Sequence, residues 1–319
     1  MVDPTNEPVF SGYQDVEVPS PMTFSQGKVR DIFYLDDELV ISTSDRISAF
    51  DQILGMVPFK GEILNRLSVW WFQKTVDVIP NHHLATISPR AILAKKCRVV
   101  PVEVVVRGYL TGSAWRDYQA DRPISGIVLP PGMRFNEKFA EPLITPSTKE
   151  SDGLHDRPCS RDEILEAGVV SPEVWRMIEE KALALYRRGV ELVGAQGLIL
   201  VDTKYEFGIA DDELYLVDEV HTPDSSRFWF ADTYAERFEA GEKQRKVDKE
   251  YLRQWLMEHS YQGEGRPPVI PPEVFHEVSR RYQHAFELIT GQEFTSQTTS
   301  SEAEKRKVLS FLAERQDDS

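Results

Sequence analysis

The sequence predicts an α+β protein in which antiparallel sheets carry flanking helices. Residues 27–50 and 198–220 each combine a β-rich run, an acidic turn and a second β-rich run, which is the pattern of a hairpin. Residues 62–74 instead repeat apolar side chains at helical spacing, with Ile63 and Leu67 on the same stripe. Hairpins and amphipathic helices in one chain favour this fold class.

The segment between these elements is richer in prolines and glycines. Residues 97–110 form a β-branched run that predicts a buried strand pair or one long bent strand, because Pro101 cannot donate a ladder hydrogen bond. Residues 116–160 lack a clear period and predict a long ordered loop with short strands. Loops of such length in a compact domain are usually functional.

The second half of the chain predicts mostly helices. Ser171 and Pro172 provide a capping hydroxyl and a first-turn proline for a helix that runs towards residue 193. Further helices are predicted around residues 244–258 and 272–290. A Ser/Thr-rich stretch near 295–301 then leads to a polar terminal helix.

Composition excludes several classes of protein. The 319 residues carry a formal net charge of -15, which argues against the basic surface that general nucleic-acid binding needs. The sequence contains no apolar run of about 18 residues and no basic or apolar leader at its start, so we expect a cytoplasmic protein without a membrane span. Cys97 and Cys159 lie far apart, so neither a disulfide framework nor a zinc site is expected.

The hairpin at residues 198–220 has the highest density of candidate site residues. A turn centred on Asp212 would place Glu206 opposite Asp218, and the side-chain period of two puts Asp202, Lys204 and Glu206 on one face. Facing carboxylates destabilise a sheet by up to roughly 1 kcal/mol, so a compensating cation is expected, and Mg²⁺ suits carboxylate oxygens. A solvated face in which Lys204 neutralises its neighbours explains the same spacing.

A polar turn follows this hairpin. Arg227 has the geometry to bind a phosphate through two hydrogen bonds, and Asp224 to accept hydrogen bonds from ribose hydroxyls, with Ser226 between them. The alternative is an ordinary polar turn in which Asp224 caps the next segment.

Two further polar clusters lie at predicted strand ends. Arg107 and Ser113 flank a turn with two glycines, where a ligand can approach the backbone closely, or where the arginine simply pairs with a carboxylate. Ser44, Asp45 and Arg46 form the second cluster, which is suited to a small zwitterion or to a helix cap.

The first hairpin opens with a glycine-containing turn. Gly27, Lys28 and Arg30 offer backbone amides and cationic side chains to nucleotide phosphates, although a surface hairpin with an ordinary lysine has the same sequence. The sequence contains no Walker A motif and no GxGxxG, which excludes a P-loop and a Rossmann site.

Six motifs occur in an order that resembles one enzyme family. They are GKVRDIF, SDRISAFD, VEVVVRGYLTGSAW, EPLITPSTK, VDTKYEFG and DEVHTPDSSRFW. Together they resemble the phosphoribosylaminoimidazole-succinocarboxamide synthase (SAICAR synthetase) family, and in particular its longer, fungal-type members. The resemblance spans about residues 20 to 290. It implies a two-lobed fold similar to ATP-grasp enzymes and distantly to protein kinases, with ATP in the cleft.

The resemblance also implies domains and residue roles. The expected domains are an amino-terminal β-rich lobe that covers ATP, residues 1–105, and a larger α+β lobe with the magnesium and ribotide sites, residues 106–319. The implied site residues are Gly27, Lys28, Arg30, Glu103 and Lys204 for ATP, Glu206 and Asp218 for magnesium, Arg107, Ser113, Asp224, Ser226 and Arg227 with Ser44, Asp45 and Arg46 for the substrates, and Asp202 and Lys204 for the reaction centre. The family's HD pair, here His155 and Asp156, is followed by an unusual sequence and receives no role.

The activity implied is a ligation. ATP and Mg²⁺ would drive the joining of L-aspartate to the carboxylate of carboxyaminoimidazole ribotide (CAIR), through an acyl phosphate, to give SAICAR, ADP and phosphate in purine biosynthesis. The resemblance to the longer members favours a monomer. A kinase-like phosphotransferase acting on another acceptor is the alternative, although the sequence has neither an HRD nor a DFG motif.

Overall fold

The computed structural model describes residues 9–14, 16, 22–50, 52–149, 157–247 and 250–317. In chain order, the strands are β1 (Thr23–Gln26), β2 (Arg30–Tyr34), β3 (Glu38–Thr43), β4 (Arg46–Ala49), β5 (Gln52–Met56), β6 (His83–Ser88), β7 (Ala91–Lys95), β8 (Arg98–Val99), β9 (Val102–Tyr109), β10 (Lys138–Thr148), β11 (Leu198–Ala210), β12 (Glu213–Val217) and β13 (Ser226–Phe230). The helices are α1 (Lys60–Thr75), α2 (Gly112–Gln119), α3 (Arg161–Glu166), α4 (Pro172–Gly194), α5 (Ala231–Glu239), α6 (Glu250–Glu258), α7 (Pro272–Thr290) and α8 (Ser301–Asp317). This mixture of helices and antiparallel sheets confirms the α+β prediction.

The described residues form two compact units. The first lies within residues 1–70, 82–96 and 248–319, and the second within residues 71–81 and 97–247. The predicted boundary at residue 105 falls inside β9, and the carboxy-terminal helices group with the first strands. Contacts between segments distant in the chain therefore divide the molecule differently from the sequence-based lobes.

The first unit is built on an antiparallel sheet in the order β1-β2-β3-β7-β6, with β4 and β5 as a separate pair. The predicted hairpin is present, since β2 pairs with β3 around the acidic turn at residues 36–37. Phe33 and Val40 point into a core that also includes Val308 and Leu312 of α8. The terminal helix is thus polar in composition but buries two apolar side chains against this sheet.

Strand β11 is the centre of the second unit. Along one edge it pairs with β9 and β8, and along the other with β13 and then β12. Trp175, Ile178 and Leu185 lie on the buried side of α4, which packs against this strand. The predicted second hairpin and the helix that precedes it are both confirmed.

The segment predicted as a long loop contains regular structure. Strand β10 lies wholly within residues 116–160, and the second half of helix α2 lies at the start of that range. Helix α5 was not predicted either. The prolines of β10 explain the error: β10 is the edge strand beside β9, Pro142 sits where the register shifts, and only edge strands accommodate prolines readily. Of the helices in the described ranges, none is long and apolar enough to cross a membrane.

Candidate active site on strand β11

A loop enters the middle of β11 and organises the candidate site. Strand β12 pairs with β11 up to Glu206, β13 pairs with it up to Thr203, and residues 218–225 connect the two strands. At this gap the backbone N of Lys204 donates to the carbonyl oxygen of Ser225 at 2.9 Å. We refer to residues 218–225 as the insertion loop. It carries Asp218 and Asp224 to the centre of the strand.

Two arginine side chains contact Asp202 at one end of the β11 face that also carries Lys204. Arg107 on β9 and Arg227 on β13 are its cross-strand neighbours on opposite edges of β11. Nη1 of Arg227 lies 3.1 Å from Oδ2 of Asp202, and Nη1 of Arg107 lies 3.4 Å from the same oxygen. Two guanidinium groups for one carboxylate leave hydrogen-bonding capacity and positive charge for an anionic ligand.

Hydroxyl groups hold Arg107 in place. Its Nε donates to Oγ1 of Thr145 at 2.8 Å, and its Nη2 donates to Oγ of Ser113 at 3.2 Å. Burial lowers the pKa of Arg107, while Asp202 opposes this shift. An arginine stays protonated under such conditions, so it remains a fixed cation at the site.

Gly112 permits the approach of Arg227. Its φ is +61°, and a Cβ at this position would lie 2.2 Å from Nη1 of Arg227. Any other residue here would displace the guanidinium, which accounts for a glycine as the first residue of α2.

The other end of the face is a lysine–carboxylate cluster. Nζ of Lys204 lies 2.6 Å from Oε1 of Glu103 and 3.3 Å from Oε1 of Glu206. Lys149, at the end of β10, reaches the other oxygen of Glu206 at 2.5 Å. These contacts confirm that Lys204 and Glu206 share a face of β11.

Excess negative charge surrounds Lys204. Burial lowers the pKa of its ammonium group, but Glu206, Asp218 and Glu103 outweigh burial and raise this pKa above its ordinary value. Lys204 is therefore a cation at neutral pH, available for charge stabilisation and not for proton abstraction.

The predicted cross-strand partner of Glu206 was wrong. The turn of the hairpin is Asp211–Asp212, so Glu206 faces Val217 and Asp218 lies beyond the end of β12. Asp218 has a φ of 65°, a left-handed conformation that turns the chain into the insertion loop. The Asp218 carboxylate still raises the pKa of Lys204. The turn at Asp218 therefore brings this carboxylate near Lys204, although the strand register does not pair Asp218 with Glu206.

The donor set for a metal is small. Within the described ranges, no group of three or more His, Cys, Asp or Glu side chains is arranged to hold a metal ion. The predicted ligands Glu206 and Asp218 are two carboxylates, which is the number that Mg²⁺ commonly takes from a protein while waters and substrate phosphates complete its octahedron. This donor chemistry fits magnesium better than a metal held entirely by side chains.

A cavity of about 310 Å³ adjoins the arginine end of the face. Arg107, Ser113, Thr145 and Ser147 contribute polar groups to its wall, and Arg122 lies on the same wall. Its volume is at the lower end of the range for small-molecule sites, roughly 300–1,000 Å³. Arg122 is paired there with Asp117, which also lines the cavity, so Arg107 and the hydroxyls are the groups suited to a phosphorylated ligand.

The predicted residues Asp224 and Ser226 have different surroundings. The backbone N of Asp224 donates to Oγ1 of Thr222, so this residue belongs to a compact turn. Ser226 is buried, and its hydroxyl donates to Oγ1 of Thr203 at 2.7 Å. Ser226 therefore faces away from Asp202 and Lys204, which corrects its assignment as a substrate contact.

In the first unit, Ser44, Asp45 and Arg46 form a buried internal network. Asp45 pairs with Arg90 at 2.6 Å and accepts hydrogen bonds from the backbone of Phe10 and Gly61. Arg46 and Ser44 are likewise almost inaccessible to solvent. With their polar groups bonded within the unit, these side chains are structural, which corrects the prediction of a zwitterion site.

Arg46 and Ser44 support the turn predicted to bind nucleotide phosphates. Arg46 donates to the carbonyl oxygens of Gly27 and Lys28, and Ser44 donates to that of Val29. Gly27 and Lys28 are exposed, and Arg30 is half-buried at the start of β2. The turn is thus held from inside while its outer surface stays accessible.

Sequence reasoning missed two residues of the site. Thr145 lies on β10 and Lys149 directly follows this strand, in a segment that was predicted as loop. Lys149 contacts Glu206, and Thr145 contacts Arg107. Both occur within the motif EPLITPSTK, where alternation along a strand would have indicated them. His155 and Asp156 lie outside the described residues.

Comparison with known proteins identifies relatives over most of the chain. A family model described as SAICAR synthetase matches residues 23–268. A protein of Bacteroides thetaiotaomicron, named phosphoribosylaminoimidazole-succinocarboxamide synthase, is 46% identical over 306 residues, or 94% of this chain and 98% of the relative. A Legionella pneumophila protein of the same name is 47% identical over 84% of this chain and 88% of its own length.

Solved structures share the fold. SAICAR synthase of Saccharomyces cerevisiae in complex with SAICAR has a TM-score of 0.78 and 33% identity, covering 89% of this chain and all of its own. A SAICAR synthetase in complex with ADP has a TM-score of 0.67 and 25% identity, covering 86% of this chain and all of its own.

Proposed function

This chain belongs to the SAICAR synthetase family, and we propose that it joins L-aspartate to carboxyaminoimidazole ribotide at the expense of ATP, forming SAICAR, ADP and phosphate in purine biosynthesis. A relative named phosphoribosylaminoimidazole-succinocarboxamide synthase aligns with nearly the whole chain. The neighbouring structures that contain SAICAR and ADP support a ribotide site and a nucleotide site.

The convergence of Arg107 and Arg227 on Asp202, two residues from Lys204, carries the proposal. An anion-binding end and a lysine–carboxylate end share one face of β11. A phosphorylated acceptor beside a phosphoryl-transfer centre needs this combination, because fixed cations stabilise the charge on both groups. The kinase-like alternative is not favoured by the relatives.

Activation of a carboxylate explains the need for ATP. A carboxylate is a poor acyl donor because its leaving group would be oxide. Transfer of the γ-phosphoryl group of ATP to the ribotide carboxylate yields an acyl phosphate, and the amine of aspartate then displaces phosphate to form the amide. Such phosphoryl transfer relies on positioning and on charge neutralisation.

Each end of the β11 face has a proposed role in this reaction. Lys204 stabilises negative charge on the transferring phosphoryl group, and Asp202 orients Arg107 and Arg227 towards the ribotide. The adjoining cavity, with Ser113 on its wall, provides room for the ribotide phosphate. In the first unit, the exposed turn at Gly27 and Lys28 is proposed to contact nucleotide phosphates.

Glu206 and Asp218 are the residues we propose for magnesium. Their carboxylates crowd Lys204, so a divalent cation at this position would relieve excess negative charge. Magnesium, when bound, neutralises phosphate charge during the transfer. Lys149 and Lys204 contact Glu206, and they would keep this carboxylate oriented.

The test is a reconstituted reaction with omissions. Purified protein receives ATP, Mg²⁺, ribotide and L-aspartate, and ADP and the succinocarboxamide are both quantified while each component is omitted in turn. We expect product only when all four are present. ADP binding without product in the complete mixture would overturn the ligase assignment and direct attention to another acceptor.

A further inference from the structure

A buried polar chain lies behind the face of β11 that carries Asp202, Lys204 and Glu206, which we call the reactive face. Because side chains alternate along a strand, Thr203 and Tyr205 point to the side opposite Asp202 and Lys204. Ser226 donates to Oγ1 of Thr203 at 2.7 Å, and Tyr205 is the next residue on the same face of β11. The Tyr205 hydroxyl in turn lies 2.5 Å from Nε2 of His221. We call Ser226, Thr203, Tyr205 and His221 the buried polar chain.

The buried polar chain connects the insertion loop to β11 at two points. His221 lies in the middle of the loop, and Ser226 is the residue directly after it. Their respective partners, Tyr205 and Thr203, flank Lys204 on β11. All four side chains are at least nine-tenths buried.

The loop needs such an anchor because its backbone is strained. Asp218 and His221 have φ values of 65° and 47°, which non-glycine residues seldom adopt unless their surroundings impose them. The His221 ring packs edge-on against Trp71, with 4.4 Å between ring centroids. On another side, a Cβ at Gly189 would lie 2.5 Å from Cε1 of His221, so only glycine leaves space for the ring.

We propose that Tyr205 and His221 are positioning residues that set the insertion loop, and through it Asp218 and Arg227, relative to the reactive face of β11. Neither side chain faces the ribotide or the metal. This inference rests on the proposed function, since it assigns Asp218 to magnesium and Arg227 to the ribotide. The charged groups of the site thus depend on a neutral network on the opposite side of the sheet.

Tyr205→Phe tests the inference because it removes one hydroxyl and keeps the ring. Hydrogen–deuterium exchange of a peptide covering residues 218–225 should accelerate by about fivefold, the usual consequence of losing one buried hydrogen bond. Calorimetric affinity for ribotide and affinity for Mn²⁺, used as a spectroscopic probe of the metal site, should each weaken by about fivefold. Thr203→Val removes the acceptor of the Ser226 hydroxyl at the end of the loop and should reproduce these effects if Tyr205→Phe fails to fold.

Tyr186→Phe is the matched control. Tyr186 is also a buried tyrosine that hydrogen-bonds to β11, through the carbonyl oxygen of Leu200, but it lies outside the buried polar chain. The Tyr186→Phe variant should lower the melting temperature as much as Tyr205→Phe does and leave the affinities for ribotide and Mn²⁺ unchanged.

Equal ligand affinities in all variants, with equal losses of stability, would overturn the positioning role. A wild-type protein that binds no ribotide would instead contradict the proposed function. The exchange experiment needs no ligand and would still show whether the buried polar chain holds the loop.

Discussion

The buried network around Asp45 and Arg46 in the first unit and the reactive face of β11 contain the same kinds of charged side chain in different surroundings. In the first unit, the paired side chains of Arg46 and Asp31 are 3% and 0% exposed, and Arg46 also donates to several backbone carbonyl oxygens. At the β11 face, the side chains of Lys204 and of Arg227 on the neighbouring β13 are 29% and 34% exposed, and each shares a carboxylate partner with another cation.

The difference separates the charges that we assign to structure from those that we propose for function. A buried ion pair persists when each polar atom has a protein partner, because an unsatisfied buried charge is strongly destabilising. A ligand site instead keeps part of its charge accessible and leaves bonding capacity unused. The four predictions below test this distinction, beginning with the largest expected effect.

Asp45→Asn should lower the free energy of unfolding by about 3 kcal/mol, because it leaves Arg90 buried beside an amide. The amide would also place a donor where Asp45 now accepts hydrogen bonds from two backbone N–H groups. Denaturant titration measures the loss, and kcat per folded molecule should stay within about twofold. Normal stability with a large fall in kcat would reverse the structural assignment.

Asp218→Asn should lower kcat at least roughly a hundredfold, the usual scale of lost charge stabilisation. Asp212→Asn is a close control, since Asp212 has a φ of 61°, lies in the same hairpin and is exposed. Asn tolerates the left-handed region, so both variants should fold. Steady-state assays across a magnesium titration provide the measurement, and near-normal turnover of Asp218→Asn in saturating magnesium would contradict a metal role.

Arg227→Ala should weaken ribotide binding by about tenfold, because a charge-assisted hydrogen bond is lost, and should change ADP affinity much less. Arg245→Ala removes an arginine from an exposed pair with Asp232 and should change neither affinity. Calorimetry with each ligand separates the two effects. Equal losses for ribotide and ADP would place Arg227 outside the ribotide site.

Glu62→Gln should cost about 1 kcal/mol of stability at pH 7, the scale of a net hydrogen bond. Burial raises the pKa of Glu62, but hydrogen bonds from Gln297, Thr298 and Ser296 and from Arg66 outweigh it and lower this pKa below its ordinary value of 4.5. A lowered pKa stabilises the fold above pH 4.5, and the benefit disappears as pH falls through the folded-state value. Unfolding free energies at pH 7 and pH 4 should therefore differ less in the variant than in the wild type. Equal pH dependence of both proteins would contradict this.

The accuracy of the sequence predictions depended on the range of the interactions involved. The hairpins, α1, α4 and α7 were predicted correctly because periodicity and capping are local signals. The partner of Glu206 was missed by one residue, because the turn contains Asp211 and Asp212 and the next residue, Glu213, already pairs with Ala210. A shift of one residue in a register moves a side chain to the other face.

For the candidate site, the sequence predicted which residues take part better than it predicted what surrounds each side chain. The predicted residues Arg107, Asp202, Lys204 and Arg227 lie close together in the structure, but the environment of Ser226 was not predicted. Ser226 precedes Arg227 and therefore points to the opposite face of β13, a consequence of strand alternation that a polar-turn interpretation concealed. Lys149 was missed because it directly follows β10, a strand whose prolines had suggested a loop.

By itself, the sequence determined the family, the fold class and the placement of Lys204 and Glu206 on one face of a strand. Ordered motifs and a side-chain period of two are local properties that need no knowledge of neighbouring strands. Only the tertiary structure decided that Asp45 and Arg46 are buried supports and that Arg107 and Arg227 converge on Asp202. Burial and cross-strand contacts depend on which distant segments pair, and the free energy of that pairing is distributed over the whole core.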